Sequence, residues 1–159
     1  MFFAHSTKKT DRSDWQPLAE HVYAVSALAR AFASVFHAGD FAAAEGLLHD
    51  AGKYTEDFLR RLDGAALRVD HATRGAMLAV EKYGMAGYLI AYAIAGHHAG
   101  LANGLESGER TALRDRLRGM GLPPLSPAWQ QEIEWPELPQ NLPFQQVKER
   151  FWFQIAFLV

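Results

Sequence analysis

The adjacent pair His49-Asp50, in LLHDAGK, carries the chemistry most worth following, because His21, His71, His97 and His98 accompany it. Neutral imidazole and carboxylate suit zinc, manganese, iron, cobalt or nickel. An HD dipeptide alone is common by chance, and one histidine on an apolar helix is usually a satisfied core side chain. Four separate histidine segments flanked by apolar residues are harder to explain as core filler, since each buried ring needs its own hydrogen-bond partner. Five of the seven histidines and one carboxylate are therefore candidate metal ligands.

Neighbouring helical residues point about 100° apart, so His49 and Asp50 do not serve one ion in the same way, but a carboxylate has two oxygens. Asp50 is the candidate bridge between two ions. Two metals about 3.5–4 Å apart can clamp the attacking and leaving oxygens of a phosphoryl centre. Lys53, one turn beyond, is placed to stabilise charge developing on phosphate oxygens. Asp50 and Lys53 are the candidate catalytic residues. The tandem His97-His98, between Gly96 and Gly100 at the end of an apolar run, has little structural purpose of its own. His5 and His37 fall outside the apolar arcs and read as surface or loop residues.

These side chains must be positioned by helices. Asp14 is expected to cap a first helix with Pro17 in its opening turn, followed by an apolar arc of Leu18, Val22, Val25, Leu28, Ala29, Phe32 and Phe36 that turns His21 inward. A second helix runs from after Asp40 to His49-Asp50 and stops near Gly52, so the pair sits at a helix C-terminus, where the macrodipole favours a cation. Thr55 caps a third helix ending around Asp63-Gly64. Asp70 caps a fourth that carries His71 and ends at Gly84. Gly87 to His98 is apolar on all faces, as a central buried helix would be. A loop from Leu101 to Gly108, a charged helix from Glu109 to Arg118, a surface-wrapping stretch from Leu122 to Pro143 with six of the seven prolines, and an apolar helix from Phe144 to Val159 complete the chain. No β alternation is sustained and no repeat is found, so an all-α fold is expected.

Bulk composition is consistent with one soluble domain. The chain has 159 residues, 49% hydrophobic and 21% charged, enough to bury a core. A net charge of −2 gives no global field for nucleic acid. The clusters Lys8-Lys9-Arg12, Arg60-Arg61 and Arg114-Arg116-Arg118 read as solvated faces. Cysteine is absent, which fits a cytoplasmic location and leaves nitrogen and oxygen as the only metal donors. The N-terminus is no secretory signal, and Met85 to Ala95 is too short to span a bilayer. GxGxxG, GxxxxGK[ST], HExxH and GxSxG are all missing, which argues against nucleotide cradles of those types, zinc proteases and nucleophile-elbow hydrolases. Trp129, Trp135, Phe151, Trp152 and Phe153 read as core and cover, not as base-stacking platforms.

The order His21, His49-Asp50, His71, His97-His98 resembles the HD metal-dependent phosphohydrolases. The blocks FAHS, WQPLAEH, HDAGKYTEDF, DHATRGA and AGHHAGL are more specifically similar to the HD nuclease domain of the type I CRISPR-associated nuclease-helicase. That resemblance implies a helical bundle with two divalent transition metals (manganese, nickel, cobalt, iron or zinc, with magnesium also admitted) that nicks and degrades single-stranded DNA in antiviral defence. It implies His21 and His49 on one ion, His71, His97 and His98 on the other, Asp50 bridging and Lys53 beside them. Its implied partners are single-stranded DNA, a helicase domain or subunit, the CRISPR surveillance complex and anti-CRISPR inhibitors, with no membrane.

One departure stands out. The resembled family closes the first site with an aspartate in a motif like S-x-L-x-D-A-D, and no Asp or Glu follows Glu149 here. The chain thus reads as a single HD nuclease domain over residues 1–159, cut within its last core helix, with the helicase absent and the His21 and His49 ion weakly held. Two other readings remain: hydrolysis of small nucleotides by the same ligand set, and a non-catalytic helical docking module.

Overall fold

The computed structural model describes residues 1–98, 100, 101, 103, 111–119 and 121–138. Helices dominate: α1 (Leu18–Ala33), α2 (Gly39–Leu48), α3 (Glu56–Leu62), α4 (Ala72–Tyr83), α5 (Met85–Gly96), α6 (Leu113–Arg116) and α7 (Ala128–Glu132). The all-α expectation holds, with one addition. A two-stranded antiparallel ribbon, β1 (Phe3–His5) with β2 (Gln16–Pro17), precedes α1. It is too short for an alternating pattern to register in sequence.

Helix α2 is the middle of the molecule. Every residue of it except Asp40 is buried, and α1, α4 and α5 all pack on it. Its small residues allow this, since FAAAEGLL presents mostly methyl groups and lets neighbouring backbones come close. Leu47 joins a cluster with Phe2, Leu18, Val22, Tyr54 and Ile133, while Leu48 joins one with Phe41, Ile90, Ile94 and Leu113. Helices α4 and α5 are joined by Gly84 alone, whose φ of +55° turns the chain where a side chain would be strained.

Several expected boundaries shift for physical reasons. Pro17, not Asp14, occupies the N-cap of α1, because residues 16 and 17 pair with β1 and the helix cannot start earlier. The Asp14 carboxylate instead accepts from Thr7 Oγ1 at 2.5 Å. The inner face of α1 is Leu18, Val22, Ser26 and Ala33, whereas Leu28 and Phe32 are 58% and 69% exposed, so the expected arc was rotated. The charged helix is only the short α6, with residues 109 and 110 outside the described set. The proline-rich stretch is more than a wrap. Pro127 opens α7, Ser126 N donates to the Tyr54 carbonyl at 2.7 Å, and Ile133 is buried. Trp129 and Trp135 cover the core as expected, while Phe151, Trp152, Phe153 and the expected last helix lie outside the described residues. No described helix is long and apolar enough to cross a membrane.

Candidate metal centre

The site forms where the C-terminus of α2 meets α1, α4 and α5. Three glycines permit this convergence. A Cβ on Gly46 would lie 2.6 Å from Ser26 Cα, so α1 and α2 touch backbone to backbone one turn from His21 and His49. A Cβ on Gly75 would lie 1.9 Å from the Leu48 carbonyl oxygen, which brings α4 against the end of α2. Gly52 comes equally close to His71 and donates its N–H to the His71 carbonyl at 3.0 Å. Any side chain at these positions would push the histidine-bearing segments apart.

Helix α2 ends at Leu48, and Asp50 leaves helical geometry with φ −108° and ψ 14° before a 3₁₀ turn over Ala51–Lys53. That break brings the adjacent pair onto one centre, although a continuing helix would have splayed them by about 100°. His21 Nε2 and His49 Nε2 lie 3.3 Å apart, and each is 3.2 Å from Asp50 Oδ2. On the other side His71 Nε2 is 2.8 Å from His98 Nε2 and 3.6 Å from Asp50 Oδ1. The His97 ring lies 5.4 Å from His49 and 5.7 Å from His71. The donor atoms fall into two groups, His21, His49 and Asp50, and Asp50, His71, His97 and His98. Asp50 belongs to both.

This donor set fits divalent cations. Metal bonds of about 2.0–2.1 Å put neighbouring donors about 2.8–3.4 Å apart, the shorter spacing in octahedral and the longer in tetrahedral surroundings, and the triangle of His21, His49 and Asp50 falls within that range. Three buried side-chain atoms of the cluster have no hydrogen-bond partner among the described residues: His71 Nδ1, and two potential ligand atoms, Asp50 Oδ1 and His97 Nε2. Buried polar atoms are normally satisfied, and a cation between those two ligand atoms would supply what they are missing. The ring orientations agree, because His49 Nδ1 donates to the Gly46 carbonyl at 2.8 Å and His97 Nδ1 to the Ile94 carbonyl at 2.6 Å. Both Nε2 lone pairs are thereby turned to the centre.

The electrostatics keep three of the donors, His71, His97 and Asp50, in ligand form. Burial lowers His97 to about 4, and the hydrogen bond to Ile94 recovers only part of that. Burial likewise lowers His71. Burial alone would raise Asp50, but the side chains of His21, His49 and Lys53 around it hold its carboxyl well below the usual range. Lys53 is 6% exposed, with its ammonium 2.7 Å from Asp50 Oδ2 and donating to the Ala4 carbonyl at 3.1 Å. Lys53 therefore ties the strand β1 to the Asp50 carboxylate, and among the described residues one of its three N–H groups is left over.

His37 is exposed in a turn, as expected. His5 is exposed too, as expected, and in addition its ring meets that of His21 edge-on at 5.0 Å. It reaches the site only through the β1–β2 pairing and the Lys53 bond to Ala4, neither of which leaves a local sequence signal. A cavity of about 420 Å³ opens beside the cluster, lined by His5, Ser6, Lys53, Arg61, His71 and His98 among others.

Comparison with known proteins agrees with this geometry. A search among curated proteins finds no match. The profile of one family, described as HD domain, matches residues 18–126, a span that contains His21, His49, Asp50, Lys53, His71, His97 and His98. HD domains are metal-dependent hydrolases, and more than half of the chain is covered, so the protein belongs to the HD domain family.

Proposed function

We propose that this HD domain is a two-metal phosphodiesterase that cuts single-stranded DNA, of the kind found in the type I CRISPR-associated nuclease-helicase. The observation that carries the reading is Asp50, whose Oδ2 faces His21 and His49 while its unpartnered Oδ1 faces the His71 side. His21, His49 and Asp50 would hold one ion; Asp50, His71, His97 and His98 would hold the second. Bound divalent ions supply Lewis acidity to the phosphoryl group and make water a nucleophile near neutral pH.

The protein's own part is positioning. The carbonyls of Gly46 and Ile94 fix two imidazoles, Lys53 fixes Asp50, and the closely packed helices keep the donors from relaxing. The remaining N–H of Lys53 is available for a phosphate oxygen. Among the described residues, the neighbouring cavity is lined by His5, Lys53, Arg61, His71 and His98 and by no carboxylate, a lining that suits a polyanion. The implied helicase and CRISPR surveillance complex would deliver the strand to this face, and anti-CRISPR inhibitors would act by occluding it.

The volume of that cavity also suits a mononucleotide, so hydrolysis of small nucleotides is the competing reading. Incubation with manganese, cobalt or nickel, using a single-stranded oligonucleotide and nucleoside phosphates side by side, separates them. The expected result is cleavage of the oligonucleotide, blocked by chelator and by His49→Ala. Turnover of nucleoside phosphates with the oligonucleotide intact would contradict the reading, as would undiminished cleavage by Asp50→Ala.

A further inference from the structure

Among the described residues, a cation at the mouth of the site has no counter-charge. The last turn of α3 carries Arg60 and Arg61. Arg60 pairs with Asp57 at 3.5 Å, whereas Arg61 makes no ion pair among the described residues. Its guanidinium carbon instead lies 5.7 Å from the centre of the Phe58 ring. Lys53 Nζ approaches the same ring to 5.2 Å, and the ring of His71 meets it at 5.7 Å. A single phenyl group thus touches Arg61, the lysine on Asp50, and one histidine of the cluster.

That phenyl group is a fixed reference point. Phe58 is 3% exposed, and its N–H donates to Thr55 Oγ1 at 3.3 Å in the cap of α3. An exposed arginine is ordinarily just a solvated charge. Here the ring holds it, and it shares a cavity with Lys53, His71 and His98 whose opposite wall is Ala4, His5 and Ser6. Guanidinium held over an aromatic face keeps its planar fork free for bidentate hydrogen bonds, and phosphate fits that fork.

We propose that Arg61 forms a subsite for a second phosphate of the substrate, next to the phosphate that faces the histidine cluster. The inference rests on the phosphodiesterase reading above and narrows its substrates to those with at least two phosphates. The chemistry is common to an oligonucleotide strand and a nucleoside triphosphate. Phosphomonoesters would lack the second contact.

Fluorescence anisotropy with a labelled oligothymidylate in chelator, over a salt series, tests this, with thymidine triphosphate and thymidine monophosphate as competitors. Arg61→Gln should weaken the oligothymidylate, the triphosphate or both about 5–10-fold at low salt and leave the monophosphate unchanged, while Arg60→Gln stays within about twofold. If the strand is the ligand, the slope of log affinity against log salt should fall by about 0.7, the value for one phosphate contact on a single strand. Which multi-phosphate probe responds identifies the source of the second phosphate. The proposal is overturned if neither probe binds the unmodified protein, if neither responds to Arg61→Gln, or if the monophosphate or Arg60→Gln changes equally. Hydrolysis of bis(p-nitrophenyl) phosphate, which has one phosphate, checks the parent reading separately: its absence alongside Arg61-dependent binding would remove the phosphodiesterase and keep the subsite.

Discussion

The His21 and His49 side of the cluster and the His71, His97 and His98 side share one carboxylate but are held in different ways. On the first side three donors already stand 3.2–3.3 Å apart, locked by the backbone contact of Gly46 with Ser26 and by the bond from His49 to Gly46. The second side has four donors but is looser, with His71 3.6 Å from Asp50, His97 Nε2 unpartnered and His98 exposed beside the cavity. Donor number governs how tightly an ion is retained, whereas open coordination positions govern what it can do to water or phosphate. On the two-metal reading proposed above, the contrast would divide labour between an ion that is kept and one that exchanges and reacts.

The most severe way to break the contrast is to remove what the two sides share. Asp50→Ala should lower hydrolysis of bis(p-nitrophenyl) phosphate in saturating manganese by about a thousandfold or more, since several kcal/mol of charge stabilisation per ion disappear at once. A loss below tenfold would mean that the sides are independent of this carboxylate. Next, His98→Ala and His21→Ala separate them. Calorimetric titration with manganese should show His98→Ala weakening the tighter of two binding events by at least 10–100-fold, and His21→Ala abolishing the weaker one. The reverse assignment would invert the division of labour.

Packing offers a gentler probe. Gly75→Ala forces a methyl group against the Leu48 carbonyl, where backbone cannot give way, and should cost about 1–3 kcal/mol, or about 2–12 °C in Tm. Because α4 carries His71, metal affinity should fall more on that side than on the His21 side. The smallest effect concerns Glu45, one turn before His49 and 6% exposed, whose carboxyl burial pushes up to about 8. A raised folded-state value means the protonated side chain contributes fully below about 4.5 and loses that contribution as pH rises through about 8. Glu45→Gln should accordingly raise Tm by a few degrees at pH 8 and hardly at all at pH 5, as differential scanning fluorimetry can check.

Much of this was legible in the chain because it is local. Caps at Thr55 and Asp70, the stop at Gly84 and the apolar α5 follow from neighbouring residues, and both capping carboxylate and hydroxyl bonds are present. The six histidine and aspartate positions could be grouped by type and placement, and the structure brings them together. What escaped depends on distant partners. The rotation of α1 is set by the ribbon before it, so Leu28 and Phe32 point outward despite helical spacing. His5 and Arg61 are exposed, as their surroundings in sequence imply, but their contacts with His21 and Phe58 depend on tertiary packing or a ring orientation that no pattern encodes. The facing of His49 and Asp50 depends on where α2 breaks, within a residue or two.

The central claim is that Asp50 joins two metal positions, and metal stoichiometry tests it most directly. Elemental analysis after loading with manganese and gel filtration should find about two ions per chain in the unmodified protein and fewer than one in a folded Asp50→Ala variant. Equal metal content in the two proteins, or none in the unmodified one, would contradict the account.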